Sequence, residues 1–372
     1  NNFSDPMKVA EETMHAAFEF FEKLGVKFWC FHDRDIAPEA DTLKETNERL
    51  DHICDLAAKK QGETGVELLW GTTNAFGHPR FMAGASTNPS PHVFAYYCAQ
   101  VKKAMELTKR LGGHGYVFWG GREGYDTLLN TDLGREGEQL ARFFHMAVEY
   151  KKEIGLEAQL YIEPKPCEPT KHQYDFDAQS CHAFLVKNGL ERDFKINVEA
   201  NHATLAGHSF HHELAYCAAN GILGSVDANR GDTLLGWDTD QFPTDIYDTT
   251  LAMYTILSAG GFTTGGLNFD AKLRRQSTDP YDLFHAHIGA MDCFARGLKV
   301  AARLHEDGVL SDFVNARYSG WDESLGKDIL AGKKSFADME EYIHEKGEAK
   351  TQSGRQEMLE NILNDSIFSA EI

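Results

Sequence analysis

The stretch from Lys195 to Gln241 contains five candidate metal ligands, namely Glu199, His202, Asp227, Asp238 and Asp240. Glu199 and Asp227 each end a short apolar run. A carboxylate that ends a buried strand is costly unless it meets a cation or several hydrogen-bond donors. Asp238 and Asp240 are two residues apart, so in extended backbone both would point the same way. Four carboxylates and one imidazole suit a hard divalent cation, and the imidazole favours Mn²⁺ or Co²⁺ over Ca²⁺.

The commoner role of such residues is structural. A lone acid at a strand end is more often a turn or helix cap than a ligand, but five candidates in one stretch favour a metal site. His208 and His212 are four residues apart and could share a helix face. A surface metal site there is the rarer outcome, and a solvated helix face is the commoner one.

Composition limits the classes of partner. The chain has 372 residues, 42% of them hydrophobic, and a formal net charge of −20. A charge of this sign repels nucleic acid and anionic lipid, so we expect neither as a partner. Seven cysteines without a CxxC pair indicate reduced thiols in a cytoplasmic protein. No stretch reaches the roughly 18 apolar residues of a membrane span.

Strands alternate strictly with helices along the chain. Seven apolar runs predict strands at Val26–Phe31, Val66–Trp70, Tyr116–Trp119, Gln159–Ile162, Phe194–Val198, Ile222–Val226 and Gly266–Phe269. A polar residue follows each run, which predicts a parallel sheet with the chemical groups at one end, as in a TIM (β/α)8 barrel. A doubly wound sheet is the alternative, although its ligands gather at one crevice.

The chain opens with a helix that no strand precedes. We therefore expect the first barrel strand to lie upstream of Asn1, in a chain longer than this one. Residues 1–307 are predicted to form the catalytic barrel domain. Residues 308–372 are predicted to form a helical C-terminal tail that makes subunit contacts.

Six motifs, in chain order, resemble those of xylose isomerase. They are Phe31-His32-Asp33-Arg34-Asp35, Trp119-Gly120-Gly121-Arg122-Glu123-Gly124, Ile162-Glu163-Pro164-Lys165-Pro166, Val198-Glu199-Ala200-Asn201-His202-Ala203, Leu235-Gly236-Trp237-Asp238-Thr239-Asp240-Gln241-Phe242-Pro243 and Gly266-Leu267-Asn268-Phe269-Asp270. The resemblance is greatest to the longer, class II form. It implies conversion of D-xylose to D-xylulose, and less efficiently of D-glucose to D-fructose, by a metal-assisted 1,2-hydride shift in a homotetramer.

The resemblance also implies roles for individual residues. Two divalent cations (Mg²⁺, Mn²⁺ or Co²⁺) would be bound, a structural one by Glu163, Glu199, Asp227 and Asp270, and a catalytic one by Glu199, His202, Asp238 and Asp240. His32, oriented by Asp35, would assist opening of the sugar ring, and Lys165 would hold the carbonyl oxygen. Trp119 and Phe76 would wall the substrate, with Trp70, Thr72 and Val117 nearby. The bond between Glu168 and Pro169 would be cis.

Two other functions stay open at this stage. A related metal-rich barrel could be an endonuclease for abasic DNA, but that activity needs a basic rim. A metal-binding fragment that does not turn over substrate is the second alternative, because the aromatic-rich first strand of the family is absent from this sequence.

Overall fold

The structure, a computed structural model, describes residues 5–370, and its core is a sheet of parallel strands. In chain order the strands are β1 (Phe28–His32), β2 (Glu67–Thr72), β3 (Gly115–Trp119), β4 (Gly124–Tyr125), β5 (Gln159–Glu163), β6 (His172–Gln173), β7 (Phe194–Glu199), β8 (Leu223–Asp227) and β9 (Leu267–Asn268). Seven of them form one sheet in the order β1-β2-β3-β5-β7-β8-β9, with every neighbouring pair parallel. The sheet is a nearly closed barrel, which confirms the predicted fold and all seven predicted strands. The further strand before residue 1 stays a prediction.

Helices follow the strands. Those of the first part of the chain are α1 (Pro6–Leu24), α2 (Asp33–Ile36), α3 (Leu43–Thr64), α4 (Pro91–Arg110), α5 (Leu133–Ile154), α6 (Ala178–Asn188), α7 (Ala200–Leu205) and α8 (Phe210–Ala219). Those of the rest are α9 (Ile246–Ser258), α10 (Pro280–Asp307), α11 (Val309–Tyr318), α12 (Ser324–Leu330), α13 (Phe336–Lys346) and α14 (Gln356–Ser369). Within residues 5–370, no helix combines the length and the apolar character needed to cross a bilayer.

Local sequence explains where these helices begin and end. The Asp5 side chain accepts from the Met7 N–H at the start of α1, and Gly25, with φ +71°, ends that helix. Thr42 caps α3 by accepting from the Glu45 N–H. The Glu45 carboxylate in turn accepts from the Thr42 hydroxyl rather than from its backbone N–H, so the capping box is only half formed.

A tyrosine occupies the barrel interior. Tyr161 of β5 is fully buried and packs with Leu69, Trp70 and Val117. Side chains at Gly115 or Gly224, on β3 and β8, would collide with the Tyr161 ring. These two glycines therefore make the space that the ring fills. The Tyr161 hydroxyl lies 2.8 Å from the Thr264 hydroxyl, so its polar end is also satisfied.

The chain divides into two compact units. One comprises the residues up to 244 together with 259–292, and contains the barrel. The other comprises 245–258 and 293 onward, and has its own small core of Val300, Leu304 and Leu363, flanked by residues of α9 and α11. The functional boundary proposed at residue 307 stays a prediction.

Candidate active site

The last residues of the parallel strands carry the candidate chemical groups. Glu163, Glu199 and Asp227 end β5, β7 and β8, and His32 and Trp119 end β1 and β3. The strand register aligns Trp119 with Glu163 and Glu199 with Asp227. Because all these strands run the same way, their end residues share one edge of the barrel.

A cavity of about 550 Å³ opens at this edge. Every predicted site residue except Glu199 lines it, and those residues are His32, Asp35, Trp70, Thr72, Phe76, Val117, Trp119, Glu163, Lys165, His202, Asp227, Asp238, Asp240 and Asp270. Glu199 is 2% exposed and does not line the cavity. The structure thus brings the predicted residues into one place, and their individual roles stay predictions.

Glu199 joins the acids into clusters. Among the described residues it belongs to three groups of potential ligand atoms that lie within 4.8 Å of one another: Glu163-Glu199-His202, Glu199-Asp227-Asp270 and Glu199-Asp238-Asp240. Two of these groups correspond to the ligands predicted for the two cations, and the third, Glu163-Glu199-His202, combines ligands from both predicted sets. A carboxylate shared by all three is what the bridging hypothesis for Glu199 requires.

The donor set fits a cation on two further observations. Glu199 Oε2 and His202 Nδ1 face each other at 3.2 Å, and among residues 5–370 neither atom has a hydrogen-bond partner. Burial, reinforced by neighbouring acids, raises the pKa of Glu163 and of Glu199 well above the usual range. Burial also lowers the pKa of His202 to about 4, so the imidazole is neutral at pH 7 and can bind a metal. Buried carboxylates, one of them with an unpartnered oxygen, and a neutral imidazole could hold a divalent cation.

Amide side chains that the sequence reading missed hold these acids in place. Asn197 Nδ2 donates to Glu163 Oε2 at 2.8 Å and to Asp227 Oδ2 at 2.9 Å. Asn268 Nδ2 donates to Asp227 Oδ1 at 2.9 Å, and Asn229 Nδ2 donates to Glu199 Oε1 at 2.7 Å. Asn197 is two residues before Glu199 on β7, so the two side chains lie on the same face of that strand. Asn229 and Asn268 are likewise two residues from Asp227 and Asp270. That spacing is the signal that could have found them.

Lys165 is paired with a predicted ligand. Its Nζ lies 2.6 Å from Asp238 Oδ2 and 5.2 Å from the centre of the Trp119 ring. Burial alone would lower the pKa of Lys165, but the Asp238 carboxylate outweighs it and raises that pKa. An ammonium group has three donors, so two remain for a substrate. The opposite side of Asp238 is bound by Asn201.

The ligand loop is held differently from what the sequence predicted. Asp240 has φ +42°, so the backbone around Asp238 and Asp240 is not extended as expected. The two carboxylates still converge on Glu199. Lys272, which the sequence reading also missed, forms an ion pair with Asp240, and its backbone N–H donates to the Asp240 carbonyl at 2.7 Å.

Glu168 positions the same loop. Its Oε2 accepts from the Asp238 N–H at 2.8 Å. The Glu168–Pro169 bond is cis, which confirms that prediction. The contact joins the loop after β5 to the loop after β8.

His32 and two aromatic rings also line the cavity. The His32 ring centre is 6.0 Å from that of Phe76, which packs edge-on against Trp119 at 4.3 Å. His32 Nδ1 is 3.9 Å from Asp35 Oδ2, which is too long for a hydrogen bond. Asp35 is exposed, and its orienting role stays a prediction.

Comparison with known proteins gives the family. Over 369 residues, 99% of the chain, it is 59% identical to the xylose isomerase of Thermoanaerobacter sp. (strain X514), and covers 84% of that protein. The identity to the xylose isomerase of Thermotoga maritima is also 59%, over 367 residues and 83% of that protein. Residues 314–367 match the profile of the XylA2 C-terminal domain.

Solved structures agree on the fold. L-ribulose 3-epimerase superposes with a TM-score of 0.57 at 14% identity, over 79% of this chain and 92% of that one. The 3-keto-D-glucoside 4-epimerase of E. coli superposes with a TM-score of 0.56 at 13% identity, over 76% and 95%. At these identities the likeness concerns the barrel alone. The sequence identity and the convergence of acids at the barrel edge together show that the chain belongs to the xylose isomerase family and is an aldose–ketose isomerase of sugars.

Proposed function

We propose that the chain converts D-xylose to D-xylulose, and D-glucose to D-fructose less efficiently, as a class II enzyme of its family. The observation that carries the proposal is the cavity of about 550 Å³, which is lined by the acids together with His32, Phe76 and Trp119. Polar groups that could grip sugar hydroxyls and apolar rings that could cover the carbon chain therefore face the same space.

The charge of the site supports two divalent cations. Six carboxylates belong to the groups around Glu199, and they are Glu163, Glu199, Asp227, Asp238, Asp240 and Asp270. Lys165 and Lys272 are the lysines paired with them. When all six acids are ionised, four negative charges remain unmatched, and two divalent cations would neutralise them. Mg²⁺, Mn²⁺ and Co²⁺ suit ligands of this type.

Glu163, Glu199, Asp227 and Asp270 would hold one cation, and Glu199, His202, Asp238 and Asp240 the other. When bound, the cations would supply Lewis acidity that polarises the sugar carbonyl. Lys165 would donate a hydrogen bond to the carbonyl oxygen as negative charge develops there, using a donor that Asp238 leaves free.

His32 would take and return the hydroxyl proton when the sugar ring opens, since an imidazole suits proton transfer near neutral pH. Trp119 and Phe76 would keep water from the reacting carbons. Trp70, Thr72 and Val117 would limit the length of the chain that fits; the Thr72 hydroxyl already donates to the Val117 carbonyl at 2.6 Å.

A 1,2-hydride shift is favoured because the cavity offers few free bases for a carbon-bound proton. The acids around Glu199 are assigned to cations, and Glu168 Oε2 is used by the Asp238 N–H. Deuterium at C2 of D-xylose should therefore remain in the product at C1. Loss of the label to solvent would instead indicate an enediol intermediate.

The test of the activity is formation of D-xylulose from D-xylose with Mg²⁺ or Mn²⁺, with Glu199→Gln as the inactive control. No product at any metal concentration would favour the metal-binding fragment. Incision of abasic duplex DNA would favour the endonuclease.

A homotetramer is proposed for the assembly. The second unit exposes large apolar side chains, with Leu330, Phe336 and Phe368 exposed by 73%, 96% and 86%. Light scattering should give four chains per particle, and Phe336→Asp should reduce that number. All seven cysteines are unpaired thiols, which supports our proposal of a cytoplasmic location.

A further inference from the structure

A second group of metal-ligating side chains lies outside the cavity. It consists of Asp177, His208, His212 and Glu213, and we refer to it as the His208 cluster. Asp177 caps the start of α6, His208 precedes α8, and His212 and Glu213 lie in the first turn of α8. Two imidazoles and two carboxylates from separate segments therefore meet at the starts of two helices.

The distances within the cluster are short. His208 Nε2 is 3.1 Å from Asp177 Oδ2, and His212 Nε2 is 4.0 Å from Glu213 Oε1. The two imidazole rings stack with centres 4.5 Å apart and an angle of 28° between their planes. Ligand atoms of His208, His212 and Glu213 all lie within 4.8 Å of one another.

Helix capping uses only one of the two oxygens of each carboxylate, Asp177 and Glu213. Asp177 Oδ1 accepts from the Ser180 N–H at 2.7 Å, and Glu213 Oε2 accepts from the Ala178 N–H at 2.8 Å. The remaining oxygen of each acid faces an imidazole. Glu213 is only 3% exposed, and its Oε1 has no hydrogen-bond partner in the part of the chain that the structure describes.

A buried carboxylate oxygen without a hydrogen-bond donor is unfavourable, and a positively charged partner at Glu213 Oε1 would offset this cost. The neighbouring imidazoles present ring nitrogens to the same space. If both imidazoles are neutral, the two carboxylates carry the charge that one divalent cation matches.

We propose that the His208 cluster binds a zinc-type divalent cation through His208, His212 and Glu213, with Asp177 holding the His208 imidazole. Tetrahedral Zn²⁺ has bonds of about 2.0–2.2 Å to imidazole nitrogen and carboxylate oxygen, which places neighbouring donors roughly 3.3–3.6 Å apart. The His212 Nε2–Glu213 Oε1 separation of 4.0 Å lies above this range, and the ligand atoms of His208, His212 and Glu213 lie within 4.8 Å of one another, so ion binding requires these side chains to move closer together. Gln179 Nε2, which is 3.3 Å from His212 Nε2, would be displaced by the ion.

This site and the barrel site should prefer different ions. A pair of imidazoles favours Zn²⁺ over Mg²⁺, which prefers oxygen ligands and retains water. The candidate ligands around Glu199 in the barrel include one imidazole, that of His202. Only a small cavity of about 10 Å³ separates Asp177 and Glu213 from Glu199 and His202, so an experiment must distinguish the two places.

The experiment uses the full chain with Mg²⁺ in large excess and Zn²⁺ added at low concentration. Zinc retained after gel filtration is counted in the unchanged protein, in the double variant His208→Gln/His212→Gln and in His211→Gln. His211 lies on the same helix outside the cluster, so it is the matched control. The double variant should retain one zinc fewer than the other two proteins while its Mg²⁺-dependent sugar turnover is preserved.

Equal zinc counts in all three proteins would overturn the proposal. If the double variant does not fold, anomalous diffraction at the zinc edge from the unchanged protein decides the question. A peak between His208, His212 and Glu213 is expected, and its absence in zinc-soaked crystals would refute the site.

Discussion

Asp240 provides a test of whether repulsion between the buried acids destabilises the metal-free protein. It is 5% exposed, and burial followed by the neighbouring Asp238 raises its pKa to about 7. Against about 3.9 for an unperturbed Asp, this is a shift of about 3 units, or about 4 kcal/mol. In the metal-free protein, ionising this carboxylate in the folded state therefore opposes folding.

Asp240→Asn removes the charge while keeping the shape of the side chain. Asn also tolerates the φ of +42° found at this position. The variant loses the ion pair with the exposed Lys272, which is worth at most about 1 kcal/mol. We therefore expect Asp240→Asn to stabilise the metal-free protein at pH 8 by about 2–4 kcal/mol, the lower bound allowing for relaxation of the loop and screening by solvent.

The sign of the effect depends on pH. Below about pH 4 the carboxyl group is protonated in both the folded and the unfolded protein, so the variant has little advantage. Between that pH and about 7 the folded protein retains a proton that the unfolded chain has released, so its stability falls as pH rises. The advantage of the variant should thus grow from pH 4 to pH 8.

The assay is thermal unfolding of chelator-treated protein across this pH range, with the exposed Asp41→Asn as the control. At about 2–4 °C per kcal/mol for domains of 150–250 residues, the Tm at pH 8 should rise by roughly 4–16 °C. With saturating Mg²⁺ the order should reverse, because the unchanged protein then gains the binding energy of its ligand. Equal Tm values for parent and variant at pH 8 without metal would refute the reasoning.

Four further predictions follow from the same geometry. Glu199→Gln should weaken both cations in a Mn²⁺ titration, whereas Asp238→Asn should weaken one. Asn197→Leu should lower metal affinity about 10–100-fold, because two carboxylates lose their shared donor. Trp70→Phe should raise kcat/KM for glucose relative to xylose, since pocket discrimination of one extra group is worth about 1–3 kcal/mol. Metal affinity should fall on the acid side, because protons compete with the cation for the carboxylate ligands. The carboxylates rather than His202 should cause this fall, since burial lowers the pKa of His202 to about 4.

A specific result would contradict each of these four predictions. Normal binding of two cations by Glu199→Gln would remove the bridge. An unchanged affinity in Asn197→Leu would show that the amide does not orient the ligands. An unchanged sugar preference would place Trp70 outside the pocket, and a metal affinity independent of pH from 5 to 8 would contradict ligand protonation.

The sequence predicts the strands because their signal is local. Each apolar run is short, bounded by Gly or a polar residue, and followed by a helix, so all seven could be located without tertiary information. The acids at the strand ends were equally visible, since parallel strands bring their carboxyl ends to one edge. The short helix α7 was missed because Glu199 ends β7 and α7 begins at the next residue.

The partners of the acids were not visible, because they are fixed by contacts between distant segments. Lys165 and Asp238 are 73 residues apart, and Glu168 and Asp238 are 70 apart. No periodic pattern links such pairs. The amides two residues from the predicted acidic ligands form an intermediate class, since their spacing from the acids is visible in the sequence but their hydrogen-bond partners are not.

The loop that carries Asp238 and Asp240 shows why ligand geometry requires the fold. It follows β8 and has little regular structure of its own. Its two ends are tied by paired backbone hydrogen bonds between Arg230 and Gln241, of 2.8 and 3.1 Å. A side chain at Gly231 would collide with Asn201 and Thr204, so close packing against α7 requires glycine there. The direction of the two carboxylates is thus set by a closed loop pressed against a neighbouring helix. The two-residue spacing of the acids alone does not determine it.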